Sequence, residues 1–183
     1  MGMEWLFPLC CLFLLFHFSF SHSLCHPHDN LALLHFKASL TLNNTMYTTY
    51  FRYDDDDDYC HQVYPTIATW ENGTDCCTWY GVKCDPISGH VTAIDLTCGG
   101  LKGKINANST LFSLSHMQSL NLAFNDFSNS QIPSPIGQFV NLTHLNLSRS
   151  NFEGEIPPQI SHLSKLQSLD LSLSLPSCMI SFS

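Results

Sequence analysis

Leu114-Ser-His-Met-Gln-Ser-Leu120-Asn-Leu122-Ala-Phe-Asn125 contains a phrase that returns as Leu145-Asn-Leu147 and Leu169-Asp-Leu171, with an earlier echo in Ile94-Asp-Leu96. Aligned on this L-x-L centre, the copies lie 26, 25 and 24 residues apart. Paired apolar residues lead into each later copy: Leu114 and Met117, Phe139 and Leu142, Ile160 and Leu163. After the centre come Asn125, Ser150 and Ser174, and two copies run on to Ile132-Pro133 and Ile156-Pro157. One such unit cannot close a core by itself, whereas stacked neighbours can. The two leucines of each centre are expected to point inward from a short parallel strand, which leaves the residues between and beside them on a concave outer face. Asn125 stands where an inward amide can satisfy backbone groups released as the chain leaves the strand, with Ser150 and Ser174 as weaker substitutes.

A period of this length is that of the leucine-rich repeat. The fold expected is an α/β leucine-rich-repeat solenoid, with an N-terminal helical disulfide cap, about four stacked parallel-strand repeats and no C-terminal cap. The boundaries read as a signal peptide at 1–23, a cap with an acidic insert at 24–89, repeats at 90–175 and a divergent tail at 176–183. Trp5 to Phe20 is almost wholly apolar but short for a membrane span, which needs about 20 residues. With Ser19, Ser21 and Ser23 behind it, the run reads as a secretory leader cleaved after Ser21 or Ser23, although Glu4 replaces the usual basic residue before it.

The formal charge of −8 owes much to Asp54 through Asp58, and without those five acids it would be −3. Nothing basic points to nucleic acid. Seven cysteines follow the leader: Cys25, Cys60, Cys76, Cys77, Cys84, Cys98 and Cys178. In a secreted chain they read as a disulfide framework with one left over, in which adjacent Cys76 and Cys77 take different partners. Zinc is the alternative for clustered cysteines, and their odd spacing argues against it. Asn-x-Ser/Thr sequons at Asn43, Asn72, Asn108, Asn141 and Asn146 agree with a secretory route.

Asp29 is placed to N-cap a helix from about Asn30 to Leu40. Leu31, Leu34 and Ala38 form its apolar stripe, Leu33, Phe36 and Leu40 widen it, and the helix is expected to cover the open N-terminal edge of the sheet. The segment from Thr41 to Tyr64 has no periodicity and reads as a solvated loop tethered at Cys60. Its consecutive aspartates lack the ligand spacing and glycine of a calcium loop. His26-Pro-His28-Asp29 has chelating residues, but with no partner cluster it reads as exposed chain. His116 and His162, each just before an inward apolar residue, read as equivalent places in two repeats. No nucleophile, base and orienter recur at a catalytic spacing, and no glycine loop for phosphate is present, so no enzyme, metal or cofactor is expected.

Trp70-Glu-Asn-Gly-Thr-Asp-Cys76-Cys77-Thr-Trp79-Tyr-Gly81-Val-Lys-Cys84, together with Leu31-Ala-Leu-Leu-His-Phe36-Lys37, resembles the N-terminal cap of plant extracellular leucine-rich-repeat proteins. Phe152-Glu-Gly154-Glu-Ile156-Pro157 matches the second half of their repeat, whereas Phe127 to Pro133 carries one extra residue and no glycine. The insert holding Cys60, with Asn108-Ser-Thr-Leu-Phe112 and Asn141-Leu-Thr-His-Leu-Asn-Leu-Ser148, is most similar to receptor-like proteins of the tomato leaf-mould resistance type. The resemblance runs from residue 24 to about 172. It implies that Cys77 pairs with Cys84 and Cys25 with Cys76, which leaves Cys60 and Cys98.

The alternation of side chains gives the concave rows as Ala93, Ser119, His144, Ser168; Asp95, Asn121, Asn146, Asp170; Thr97, Ala123, Ser148, Ser172; and Cys98, Phe124, Arg149, Leu173. Asp95, Asn121, Phe124, His144, Arg149 and Asp170 are the candidate binding residues, with Phe124 and Arg149 as anchors. The resemblance implies a non-catalytic extracellular module that binds protein or peptide ligands and partners with leucine-rich-repeat receptor kinases. A membrane attachment is implied only for a longer form with a C-terminal anchor. A secreted polygalacturonase inhibitor is the second reading. The repeat pattern breaks by Pro176, which reads as truncation and admits a third, a gene product without function.

Overall fold

The computed structural model describes residues 24–42, 60 and 66–172. The expected leader, the Asn43 sequon, the acidic run Asp54 to Asp58, and Leu173, Ser174 and Cys178 lie outside the described residues. Helix α1 spans Pro27–Ala38. The strands are β1 (Leu40–Leu42), β2 (Val82–Cys84), β3 (Val91–Asp95), β4 (Leu101–Gly103), β5 (Ser119–Asn121), β6 (His144–Asn146) and β7 (Ser168–Asp170).

One sheet runs β2-β3-β5-β6-β7, and a second pairs β1 with β4. From β3 onward the first sheet is parallel and keeps the sequence phase: Ile94, Leu120, Leu145 and Leu169 face one another in register, flanked by Ala93, Ser119, His144, Ser168 and by Asp95, Asn121, Asn146, Asp170. The matching L-x-L spacing produces this alignment, because a one-residue slip would turn every inward leucine to solvent. Leu96, Leu120, Leu122, Leu145 and Leu147 are accordingly buried.

The chain returns on the far side through single 3-10 turns at Thr110–Ser113, Ser134–Gln138 and Pro158–His162. Pro135 and Pro158 fix φ near the start of the last two turns. Three inward rows result: Leu111, Ile136, Ile160; Leu114, Phe139, Leu163; and Met117, Leu142, Leu166. The lead-in pair of the last repeat is therefore Leu163 and Leu166, and Ile160 belongs one row earlier. His116 and His162, which precede Met117 and Leu163, hence occupy different repeat positions. The last described repeat leaves Leu169 43% exposed.

Asn125 is fully buried. Its Oδ1 accepts the Leu101 N–H at 3.0 Å, and its Nδ2 faces the carbonyls of Leu96 and Leu122 at 2.9 Å and of Ala123 at 3.1 Å. Ser150, in the same place one repeat on, donates to the carbonyls of Leu122 at 2.7 Å and Ser148 at 3.1 Å. The extra residue between Phe127 and Pro133 is absorbed without glycine: Asn129 adopts φ 62°, the left-handed conformation that Gly154 takes at φ 78°. Asparagine tolerates that region better than most residues.

The cap departs from expectation in three ways. The helix begins earlier, with His26 as N-cap and Pro27 in its first turn, so Asp29 is inside the helix and is not its cap. Its buried face is Asp29, Ala32, Leu33 and Phe36, whereas Leu31 is 55% exposed and Ala38 faces solvent. The N-terminal edge of the sheet is closed by β2, antiparallel to β3 with Val82 opposite Ile94, while α1 packs on the Thr110–Ser113 turn. The Thr110 hydroxyl ties the two by donating to the Ala32 carbonyl at 2.8 Å. Leu40 continues into β1, which pairs with β4.

Candidate functional site

The middle concave row carries a structural duty that alternation alone does not reveal. Asp95 Oδ1 accepts the Thr97 N–H at 3.1 Å and its hydroxyl at 2.7 Å. Asn121 Oδ1 accepts the Ala123 N–H at 3.1 Å, and Asp170 Oδ1 accepts the Ser172 N–H at 3.0 Å. Asn146 Oδ1 accepts the Ser148 N–H at 3.0 Å and its hydroxyl at 2.7 Å. These four residues form a ladder of Asx turns that end the strands, so one oxygen of each is committed before any ligand arrives.

Phe124 and Arg149 stand on the next column. With Cys98 they adopt φ of 57°, 51° and 54°, because the chain must turn sharply out of each strand there. The Arg149 guanidinium carbon lies 5.5 Å from the Phe124 ring centroid, a cation–π arrangement. The two candidate anchors thus form one unit. His144 is exposed, with Nδ1 2.8 Å from the Thr143 hydroxyl. Of the sequons, Asn72 and Asn108 are exposed and Asn141 and Asn146 are half-buried. Asn141 Oδ1 also accepts from Lys165 Nζ at 2.7 Å.

Among the described residues, three disulfides are present: Cys25–Cys76, Cys60–Cys98 and Cys77–Cys84. Around them, Trp70 and Trp79 stack with centroids 5.6 Å apart. Trp70 Nε1 donates to the Tyr80 carbonyl at 3.1 Å, Trp79 Nε1 to the Thr74 hydroxyl at 2.7 Å, and Lys37 Nζ to the Trp70 carbonyl at 2.7 Å. Asp75 Oδ1 accepts the N–H groups of Cys25 at 2.9 Å and Cys77 at 3.0 Å, joining both bridges to α1.

His26-Pro-His28-Asp29 is not simply exposed chain. Asp29 is 3% exposed, and β3 supplies the partner that the sequence segment lacks. Asp29 Oδ2 accepts the Val91 N–H at 2.9 Å and lies 3.1 Å from His90 Nδ1, while Oδ1 lies 3.2 Å from His28 Nδ1. Burial pushes the Asp29 carboxyl up, but the Val91 N–H, His90 and His28 outweigh it and hold the group below the ordinary aspartate value. The His90 ring is stacked between His26, at 4.1 Å, and His116, at 3.9 Å, so His116 serves the cap as well as its repeat.

Sequence reading also passed over an open groove of about 980 Å³ on the side of the solenoid away from the parallel sheet, lined among others by Lys104, Ile105, Gln131, Ile156, Pro157 and Pro158. The recurrence of Ile-Pro at 132–133 and 156–157 was its only trace in the sequence.

The family model described as Leucine rich repeat N-terminal domain matches residues 26–49 and 54–85, and that described as Leucine Rich Repeat matches 141–163. The chain is 44% identical over 160 residues to Receptor-like protein 6 of Arabidopsis thaliana, covering 86% of this chain and 16% of that protein. It is 43% identical over 154 residues to Receptor-like protein Cf-9 of Solanum pimpinellifolium, covering 80% and 17%. The chain belongs to the plant leucine-rich-repeat receptor-like proteins. Against solved structures, it is similar to the BIR2 ectodomain from Arabidopsis thaliana, with a TM-score of 0.62 and 27% identity over 79% of this chain and 66% of that one. This receptor-like protein chain spans about a sixth of the length of the curated relatives it matches. Among the described residues, no helix is long and apolar enough to cross a membrane.

Proposed function

We propose that this chain is the capped N-terminal part of a non-catalytic extracellular recognition module, one that binds protein or peptide ligands and assembles with leucine-rich-repeat receptor kinases. The observation that carries the reading is the outward column where Arg149 lies over Phe124. The Asx ladder beneath it is already engaged internally, so this column offers an aromatic and a cation, the side chains that most often dominate protein contacts. Disulfides in the cap suit an oxidising compartment outside the cytosol. The relatives' names supply the receptor role, and plant defence follows from the Cf-9 likeness.

The test is co-purification. Secreted with an affinity tag from leaf cells, the chain is expected to recover a leucine-rich-repeat receptor kinase, and Phe124→Ala with Arg149→Ala to reduce recovery about tenfold or more while its unfolding midpoint stays unchanged. Equal recovery by the double variant, or no kinase with either, overturns the reading. Inhibition of a fungal polygalacturonase by the wild-type chain would favour the inhibitor class in its place.

A further inference from the structure

Asn72-Gly73 is the one place in the sequence where glycine follows asparagine. The two residues form the tip of a turn between Trp70 and Cys76, closed by the Thr74 N–H donating to the Glu71 carbonyl at 3.2 Å. Both are exposed, and Gly73 adopts φ 84° with open space where a Cβ would stand. Among the described residues, neither the Asn72 amide nor the Gly73 N–H has a hydrogen-bond partner. Other asparagines lack this combination. The side-chain oxygens of Asn106, Asn121 and Asn146 each accept a backbone N–H, and exposed Asn108 and Asn129 are followed by serine.

We propose that Asn72 is a site of spontaneous deamidation through Gly73 wherever its amide carries no glycan. The Gly73 nitrogen gives its proton to solvent and attacks Asn72 Cγ. The new N–Cγ bond closes a five-membered succinimide, the Cγ–Nδ2 bond breaks, and Nδ2 leaves as ammonia with a proton from water. Water then opens the ring, at Cγ to give aspartate or at the backbone carbonyl to give isoaspartate. Glycine permits the attack because no Cβ crowds its nitrogen and its wide backbone range lets the turn open. Asn72-Gly73-Thr74 is also a sequon, so glycan addition and deamidation draw on the same Nδ2 atom. A glycan there shields Cγ and makes the nitrogen a bulkier leaving group. The new carboxylate would lie between Glu71 and Asp75, but on an exposed turn where solvent screens it. The isoaspartate backbone is the larger change, since it adds one bond of about 1.5 Å to the turn. Thr74 transmits that change: its hydroxyl accepts from Trp79 Nε1 at 2.7 Å and its carbonyl from Asn30 Nδ2 at 2.9 Å, which ties the turn to the tryptophan stack and to α1.

The experiment secretes the full-length chain into the bacterial periplasm, which forms disulfides and adds no N-glycan, then ages it in mildly alkaline heavy-oxygen water and maps its peptides by mass spectrometry. Label is expected at residue 72 before any other asparagine, with isoaspartate identified by its enzymatic methylation. Gly73→Ala should slow the labelling about tenfold or more, a barrier rise of about 1.4 kcal/mol, and Asn72→Gln should abolish it. Ageing should lower the unfolding midpoint of the wild type and leave that of Asn72→Gln unchanged. Because Asn72 is an exposed turn residue, Asn72→Gln remains informative even where Gly73→Ala, strained by its positive φ, fails to fold. Absence of label at residue 72, or labelling there no faster than at Asn108, overturns the site. Chain from leaf cells shown to carry a glycan on Asn72 should resist ageing, and equal loss of its midpoint overturns the glycan's protection. None of these readouts requires a receptor partner, so the result stands apart from the recognition reading.

Discussion

Asn125 meets four backbone groups, but the carbonyls of Leu96, Ala123 and Leu122 also accept from the Gly99 N–H, the Cys98 N–H and the Ser150 hydroxyl, so the Leu101 N–H is the group that relies on it most. Asn125→Ala removes the acceptor of the buried Leu101 N–H and is expected to cost about 1–3 kcal/mol, the range for one buried unsatisfied group. Asn125→Ser should fall between, because Ser150 shows that a hydroxyl in this place can serve carbonyls. Denaturant midpoints of the three proteins give the order. Asp126 beside it couples neighbouring repeats: it accepts from the Ser128 hydroxyl and N–H, Asn151 Nδ2 lies 3.4 Å away, and Lys102 Nζ pairs with it at 3.3 Å. Burial pushes its carboxyl up, but the Ser128, Asn151 and Lys102 contacts prevail and hold it below the ordinary value. A carboxyl lowered by folding contributes stability that is complete above its unfolded value of about 3.9 and is lost as pH falls through the folded value. Asp126→Asn should therefore flatten the acid side of the stability profile below about pH 4 and leave its slope near neutrality unchanged. The inward role of Asn125 was legible because the repeat exposes its place. Asp126 carried no such mark, since its partners come from three repeats.

At the scale of elements, the β2–β3 hairpin closes the sheet, and Gly81 is the residue that permits it. Gly81 adopts φ 78°, and a Cβ there would fall 2.2 Å from the Asp95 carbonyl oxygen. Gly81→Ala is expected to cost about 1–3 kcal/mol through its backbone conformation alone, with the clash adding to it. A lowered thermal midpoint, with early loss of amide protection in Val82–Cys84, would mark the damage as local. The strand register was readable because inward and outward positions alternate with a fixed period. The helix was harder to read: its apolar residues fit two overlapping stripes, and the choice fell to the face that meets the Thr110–Ser113 turn. Pro27 was the local sign of the earlier start, since proline suits a first helical turn. Strand β1 left no sign, because its three residues take extended form by pairing with β4.

Over the whole molecule, disulfides bind a cap of little regular structure to a periodic stack. The Cys25–Cys76 bridge spans 51 residues and Cys77–Cys84 spans 7. Loop-closure entropy predicts losses of about 4 kcal/mol for Cys25→Ser with Cys76→Ser, and about 2 kcal/mol for Cys77→Ser with Cys84→Ser. Unfolding of both double variants checks that order, and equal losses would refute an entropic account. The sequence by itself determined the repeat period, the inward leucines and the strand register, since each follows from a spacing of a few residues repeated along the chain, whereas Cys98, Ala123 and Ser148, read as outward, are buried. Only the tertiary structure decided that the middle column ends the strands as Asx turns, that Arg149 covers Phe124, and that Asp29 sits buried against His90. Those outcomes depend on where separate turns and repeats come to rest against one another, and His90, 61 residues beyond Asp29, reaches it only after the cap has folded onto the first strand.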